Sequence, residues 1–176
     1  DESSIKKPKK KKTRKIKLGS KYKKTYSSNT KLKSIPDKND LYIKSLAAKK
    51  KTERANQIHK STLNILNDYL DSLGYSMNET IHIDGYAEIK SSFAIFEVKS
   101  IHKKNEVSQI RHAISQLLEY RYFYEEPDAT LWIVLSSKPS DKIDESYLNY
   151  IRDDRKIKLL WLEDNNLNGP DIEQLT

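Results

Sequence analysis

Residues 80–101 read TIHIDGYAEIKSSFAIFEVKSI. Two arms rich in Ile, Phe, Val and Tyr, with polar residues between them, flank Ser91-Ser92, a pattern that predicts a β-hairpin. With Ser91-Ser92 as a two-residue turn, Lys90 faces Phe93 and paired positions sum to 183, as 90 and 93 do. Asp84 then stands across from Lys99, and Tyr86 across from Glu97. Strand side chains alternate faces and directly paired residues share one. Asp84, Glu97 and Lys99 therefore project from the same side. Ile81, Ile83, Ala87, Ile89, Ala94, Phe96 and Val98 fall on the other, as core.

Two carboxylates held side by side repel, and desolvating them costs several kcal/mol unless something positive is near. A divalent cation resolves the conflict. Mg²⁺ takes hard oxygen ligands, commonly one or two carboxylates, and leaves positions for water and phosphate oxygens. Such a metal polarises a phosphoryl oxygen and lowers the pKa of bound water. A neighbouring lysine can orient or deprotonate that water and stabilise developing charge. The plainer reading is an ion-paired group on a solvated sheet face. Placement on one face, beside Phe93 and Ile95 in an Ile-Phe-Glu-Val-Lys strand, favours the metal site.

Outward from the hairpin, residues 45–73 repeat Ala55, Ile58, Thr62, Leu66, Tyr69 and Leu73 at helical spacing, with Leu63, Ile65 and Leu70 widening the stripe and Gly74 as the stop. Residues 106–124 predict a second helix, closed by Glu125-Glu126-Pro127. Residues 131–135 (LWIVL) form a short apolar run, as expected of a strand covered on both faces. Ser140 is read as the cap of a third helix carrying Ile143, Tyr147, Leu148 and Ile151, and residues 156–163 as a last strand. Helix, hairpin, helix, strand, helix, strand is the order of an α/β domain with a mixed sheet between helices.

The chain has 176 residues, no cysteine and a net charge of +8. Residues 1–50 hold 18 Lys and Arg against 4 Asp and Glu, a net of +14, which leaves 15 against 21, a net of −6, for residues 51–176. The basic character belongs to a tail. Residues 1–38 are Lys-rich and poor in apolar side chains, so they are expected to be disordered, and 1–44 is taken as tail or linker ahead of a domain at 45–176. Lys9, Lys10, Lys11, Lys12, Arg14 and Lys15 are candidates for phosphate contact, where each neutralised phosphate releases a counterion. A localisation signal over residues 6–17, or a merely solvated tail, are the other readings. The absence of cysteine excludes disulfides, thiolate catalysis and cysteine zinc sites, and fits a reducing, intracellular setting. No run approaches the roughly 20 apolar residues of a membrane span. The first residue is Asp1 rather than Met, which is read as a piece of a longer or processed protein.

At Asp84 in His82-Ile83-Asp84-Gly85, followed by Glu97-Val98-Lys99, the chain resembles the PD-(D/E)XK nuclease superfamily, in which an acid on one hairpin strand precedes Glu-x-Lys on the next. Ile83 stands where many members have proline. The resemblance spans about residues 53–164. It implies a restriction-endonuclease-like fold: a three-layer α/β core whose central mixed sheet is flanked by helices. It also implies that Asp84, Glu97 and the backbone carbonyl of Val98 bind Mg²⁺, with Mn²⁺ as a substitute, and that Lys99 acts on the attacking water. An additional strand ahead of the hairpin is expected, and residues 75–77 are the candidate.

Gln116-Leu117-Leu118-Glu119-Tyr120 resembles the Gln-x-x-x-Tyr motif of RecB-like members of that superfamily. Gln109, Ala113, Gln116 and Tyr120 form one stripe flanking the apolar face of their helix. An amide on that flank can reach a phosphate or a metal-bound water, and Gln109 is a further candidate for nucleic-acid contact. The first helix of such nucleases often adds an acid or a histidine. Periodicity favours His59, which faces inward, while Glu53, on the polar side, suits the family's other pattern. The resemblance implies a metal-dependent DNA endonuclease of a restriction, defence or repair system. Double-strand cutting by this fold usually needs two active sites, as in a homodimer, and the start at Asp1 allows a place in a larger multi-domain protein. The alternative is a catalytically silent nucleic-acid-binding or targeting module on the same fold.

Overall fold

In a computed structural model of the chain, which describes residues 24–25 and 42–176 with side chains from residue 55 onward, the expected α/β architecture is found. Helix α1 (Tyr42–Ser72) ends where Gly74 takes the left-handed conformation (φ +84°) and the Tyr75 amide donates to the carbonyl of Leu70 at 2.9 Å. The positive φ suits a residue without Cβ and turns the chain towards the sheet. Strands β1 (Lys24–Thr25), β2 (Asn78–Glu79), β3 (Gly85–Ile89), β4 (Ser92–Lys99), β5 (Thr130–Leu135), β6 (Ile157–Glu163) and β7 (Asn166–Asn168) form one mixed sheet in chain order. β4, β5 and β6 run parallel, and the remaining pairs are antiparallel.

Two cores cover the two faces. On one, α2 (Glu106–Phe123) lays Ile110, Ala113, Ile114 and Leu117 over Tyr86, Ile95, Leu131, Ile133 and Leu159, joined by Ile143 and Ile151 from the α3 region (α3, Glu145–Asn149). On the other, Leu63, Leu66 and Leu70 of α1 cover Ala87, Ala94, Phe96, Val98, Trp132 and Leu160. β5 is buried from Leu131 to Leu135 because its alternate side chains enter both cores, as its unbroken apolar run requires.

Several expectations are corrected. The hairpin turn is Lys90-Ser91, both at positive φ (50° and 63°), and Ile89 pairs with Ser92, so paired positions sum to 181. Tyr86 faces Ile95 rather than Glu97, and Asp84 does not face Lys99. A turn with both central residues left-handed matches strand twist, and this decides the register. Strand β3 starts only at Gly85, so Ile81 is 74% exposed and Ile83 is buried in the α2-side core, not with Ala87 and Phe96. The extra strand lies at Asn78–Glu79, not 75–77, and itself pairs with Lys24–Thr25; the rest of residues 1–38, expected to be disordered, lies outside the described residues. An open sheet edge offers backbone groups to any extended segment. Ser140 does not cap α3. Its hydroxyl and amide go to Glu106, and Asp144 caps instead, accepting from the Tyr147 amide at 2.9 Å. Strand β7 is an addition to the expected order.

Candidate functional site

Asp84, Glu97 and Lys99 converge at the carboxyl end of β4. Glu97 and Lys99 lie two residues apart on the strand, so the pleat turns both towards α2. Asp84 precedes the paired part of β3, and its Oδ2 accepts the Val98 amide at 2.9 Å, which ties it to β4. Its other oxygen, Oδ1, lies 3.3 Å from His59 Nε2 on α1. The inward histidine of the helical pattern therefore does reach the acid. Glu53 is on the same helix, with its side chain outside the described residues.

Lys99 Nζ donates to Glu97 Oε1 at 2.5 Å and to Gln116 Oε1 at 2.7 Å, and Gln116 Nε2 donates to Tyr120 Oη at 3.1 Å. Gln116 and Tyr120 are one helical turn apart on α2 and both flank its apolar face, so the Gln-x-x-x-Tyr spacing assembles a continuous chain from Glu97 to Tyr120. Gln109, half-buried about two turns back from Gln116, is not brought into this chain. Lys9 to Lys12, Arg14 and Lys15 lie outside the described residues.

Glu97 is 2% exposed, and its Oε2 is buried without a hydrogen-bond partner among the described residues. Burial, and then the negative charge of Asp84, push its carboxyl up to about 7 against the pull of Lys99 and His59. Burial depresses His59, but the bond to Asp84 and the charges of Asp84 and Glu97 outweigh it, so the imidazole holds its proton above its ordinary range. Burial, and then Glu97, push the Tyr120 phenol upward, so it stays neutral. These shifts describe a pocket in which Asp84 and Glu97 share Lys99 and His59, with Glu97 the more buried of the two acids.

No family model matches the chain, and no curated protein does. Two solved structures are similar in fold. One is an FdxN element excision controlling factor protein from Anabaena variabilis, with 17% identity, a TM-score of 0.48, and 64% of this chain and 97% of that one covered. The other is an XisH family protein from Nostoc punctiforme, with 15% identity, a TM-score of 0.42, and 64% and 94% covered.

The donor set fits a hard divalent cation. Asp84 and Glu97 supply carboxylate oxygens, and Glu97 Oε2 is an acceptor that no donor among the described residues serves. Among the described residues no three His, Cys, Asp or Glu side chains form a closed cage. Two carboxylates with open positions suit Mg²⁺, which keeps several waters.

The sequence reading missed how Asp84 is anchored. The Val98 amide that holds it is invisible to side-chain patterning, and so is the Ser100 hydroxyl that donates to the Ala55 carbonyl at 3.2 Å and ties α1 to the end of β4.

Proposed function

We propose that this chain is a PD-(D/E)XK-type nuclease domain that hydrolyses phosphodiester bonds in DNA with Mg²⁺, or Mn²⁺ in its place. The observation that carries the reading is the buried, unpartnered Glu97 Oε2 beside Asp84. A desolvated carboxylate pair is costly unless positive charge joins it, and Lys99 and His59, each meeting one oxygen of one acid, leave Glu97 Oε2 unserved among the described residues. Asp84, Glu97 and the Val98 carbonyl would hold the metal. When bound, it supplies Lewis-acid polarisation of the phosphate and a more acidic water.

The chain's own residues do the rest. His59 and the Val98 amide fix both oxygens of Asp84, leaving little freedom in where it presents its lone pairs. Lys99 has three ammonium hydrogens. Glu97 and Gln116 accept two, and the third is free to orient the attacking water or meet an equatorial phosphate oxygen. Tyr120, held neutral, steadies the Gln116 amide so that its oxygen stays on Lys99. The basic tail adds phosphate contacts. We place the activity inside the cell, as an endonuclease of restriction, defence or repair, acting as a homodimer or within a larger protein. No helix among the described residues is long and apolar enough to cross a membrane.

The test is incubation with supercoiled plasmid, linear duplex and single-stranded DNA, with and without Mg²⁺ or Mn²⁺. Metal-dependent cutting lost in Asp84→Ala and Glu97→Ala supports the reading. DNA binding with no metal-dependent cleavage identifies a silent binding module instead.

A further inference from the structure

The segment that follows Lys99 differs in charge from the rest of the folded part. Residues 51–176 carry a net of −6, yet residues 99–118 contain Lys99, Lys103, Lys104 and Arg111 against one acid, Glu106. That acid is 4% exposed and turned inward, where its oxygens accept the amide and hydroxyl of Ser140. It does not oppose the cations at the surface.

The loop between β4 and α2 is also pinned rather than slack. The His102 amide donates to Asn105 Oδ1 at 2.6 Å, Asn105 Nδ2 donates to the Ser100 carbonyl at 3.3 Å, and the Lys104 amide donates to His102 Nδ1 at 3.2 Å. The Ile101 amide donates to Ser136 Oγ at 3.0 Å, fixing the loop to the end of β5. Every residue from 102 to 104 is exposed. From the adjoining loop, Lys142 donates to the Lys103 carbonyl at 3.3 Å. The net result is a short, ordered, cationic rim that starts one residue after Lys99.

We propose that His102, Lys103 and Lys104 form a phosphate-seating loop that holds duplex DNA beside the site, its substrate class being the sugar–phosphate backbone rather than particular bases. The proposal rests on the nuclease reading for what lies next to the loop, but the binding it asserts is measurable without cleavage. A loop held by its own hydrogen bonds loses little backbone freedom on meeting a phosphate, and each phosphate neutralised contributes about 0.9 to the slope of log affinity against log salt.

The experiment measures binding of the full chain to a fluorescent duplex, without divalent metal, across a salt series. Lys103→Glu/Lys104→Glu is compared with Lys90→Glu/Lys156→Glu, a charge-matched pair at the opposite end of the sheet, in the β3–β4 turn and before β6. The loop variant should lower the salt slope by about 2 and weaken binding, while the control keeps the slope of the parent. Equal slopes for the loop variant and parent, an equal fall in the control, or no binding by the parent overturns the proposal. Cleavage of the same duplex with Mg²⁺ is scored separately. A parent that binds through the loop and never cuts refutes the nuclease reading and leaves the loop assignment standing.

Discussion

Asp84 Oδ2 accepts the backbone N–H of Val98, the residue that separates Glu97 from Lys99. An acid lying just outside its own paired strand is thereby fixed to the strand that carries the other two groups. The bond uses the backbone N–H, so no substitution at Val98 short of proline removes it, and the relative placement of Asp84 and Glu97 is a property of the hairpin itself.

Lys99→Ala removes the only cation that donates to Glu97 among the described residues while leaving both carboxylates. Cleavage should fall by about 10² to 10⁴, the usual worth of a positioned acid–base group. Duplex binding should persist. Lys99→Arg should not restore the rate, because a planar fork does not replace a point ammonium between Glu97 and Gln116. Single-turnover rates beside binding isotherms check this, and cutting that survives Lys99→Ala places the chemistry elsewhere.

Stability should depend on pH through Glu97. Its carboxyl titrates near 7 when folded, above its ordinary 4.5, so the folded chain keeps the proton longer than the unfolded one. That contribution is complete below about pH 4.5 and is lost as pH rises through about 7. His59, also raised, works in the same direction. The metal-free melting temperature should therefore fall between about pH 5 and pH 8, and Glu97→Gln should flatten the fall. Because a metal competes with the proton, Mg²⁺ should raise the melting temperature more at about pH 8 than at about pH 6. A parent and a Glu97→Gln variant with superimposable profiles would contradict this.

His59 holds Asp84 from α1 and is a positioning residue. His59→Ala should lower cleavage by roughly 10- to 100-fold, the range seen when a metal ligand loses its supporting bond. It should do so more than Glu53→Ala and move the melting temperature by only a few degrees. The metal concentration for half-maximal rate should rise as well, a readout that a purely structural role would not shift.

Gly85 follows Asp84, and a Cβ there would sit 2.7 Å from Met77 Sδ. Met77 is 2% exposed and has little room to withdraw. Gly85→Ala should cost about 1–3 kcal/mol, the usual range for overpacking, and should impair cleavage by displacing the adjacent acid. Met77→Ala should recover part of the loss, so the double variant should be more stable than the sum of the singles implies. Chemical denaturation of the four proteins measures the coupling.

The faces of the hairpin were legible although its register was not. Moving the turn from Ser91-Ser92 to Lys90-Ser91 slides the pairing by two, and an even slide keeps every side chain on its own face. Glu97 and Lys99 thus stayed where alternation put them. Ile81 and Ile83 did not, because the chain before Gly85 is not a strand and alternation has no meaning there. Lys and Ser carry no mark of positive φ, unlike Asn-Gly, so the turn could not be located from local chemistry. Helix periodicity placed His59, Gln116 and Tyr120 correctly, since one-turn spacing is local. What stayed hidden was pairing across distance. Glu106 takes Ser140 away from its helix, and Asp171, 1% exposed, binds Arg152 and the Leu159 amide. Such partners sit 12 to 34 residues apart, and no spacing rule joins them.

The two cores give the site an unusual dependence. Its acids and lysine gather at the carboxyl end of the central strand β4, but their supports come from opposite layers: His59 from α1, Gln116 and Tyr120 from α2. Detachment of α1 removes the His59 contact to Asp84, and detachment of α2 removes the Gln116 contact to Lys99, without breaking a strand pairing. Under the proposed activity, partial unfolding is therefore a safety catch. A damaged copy keeps its +14 charge over residues 1–50 and so its pull towards phosphates, but it arrives disarmed.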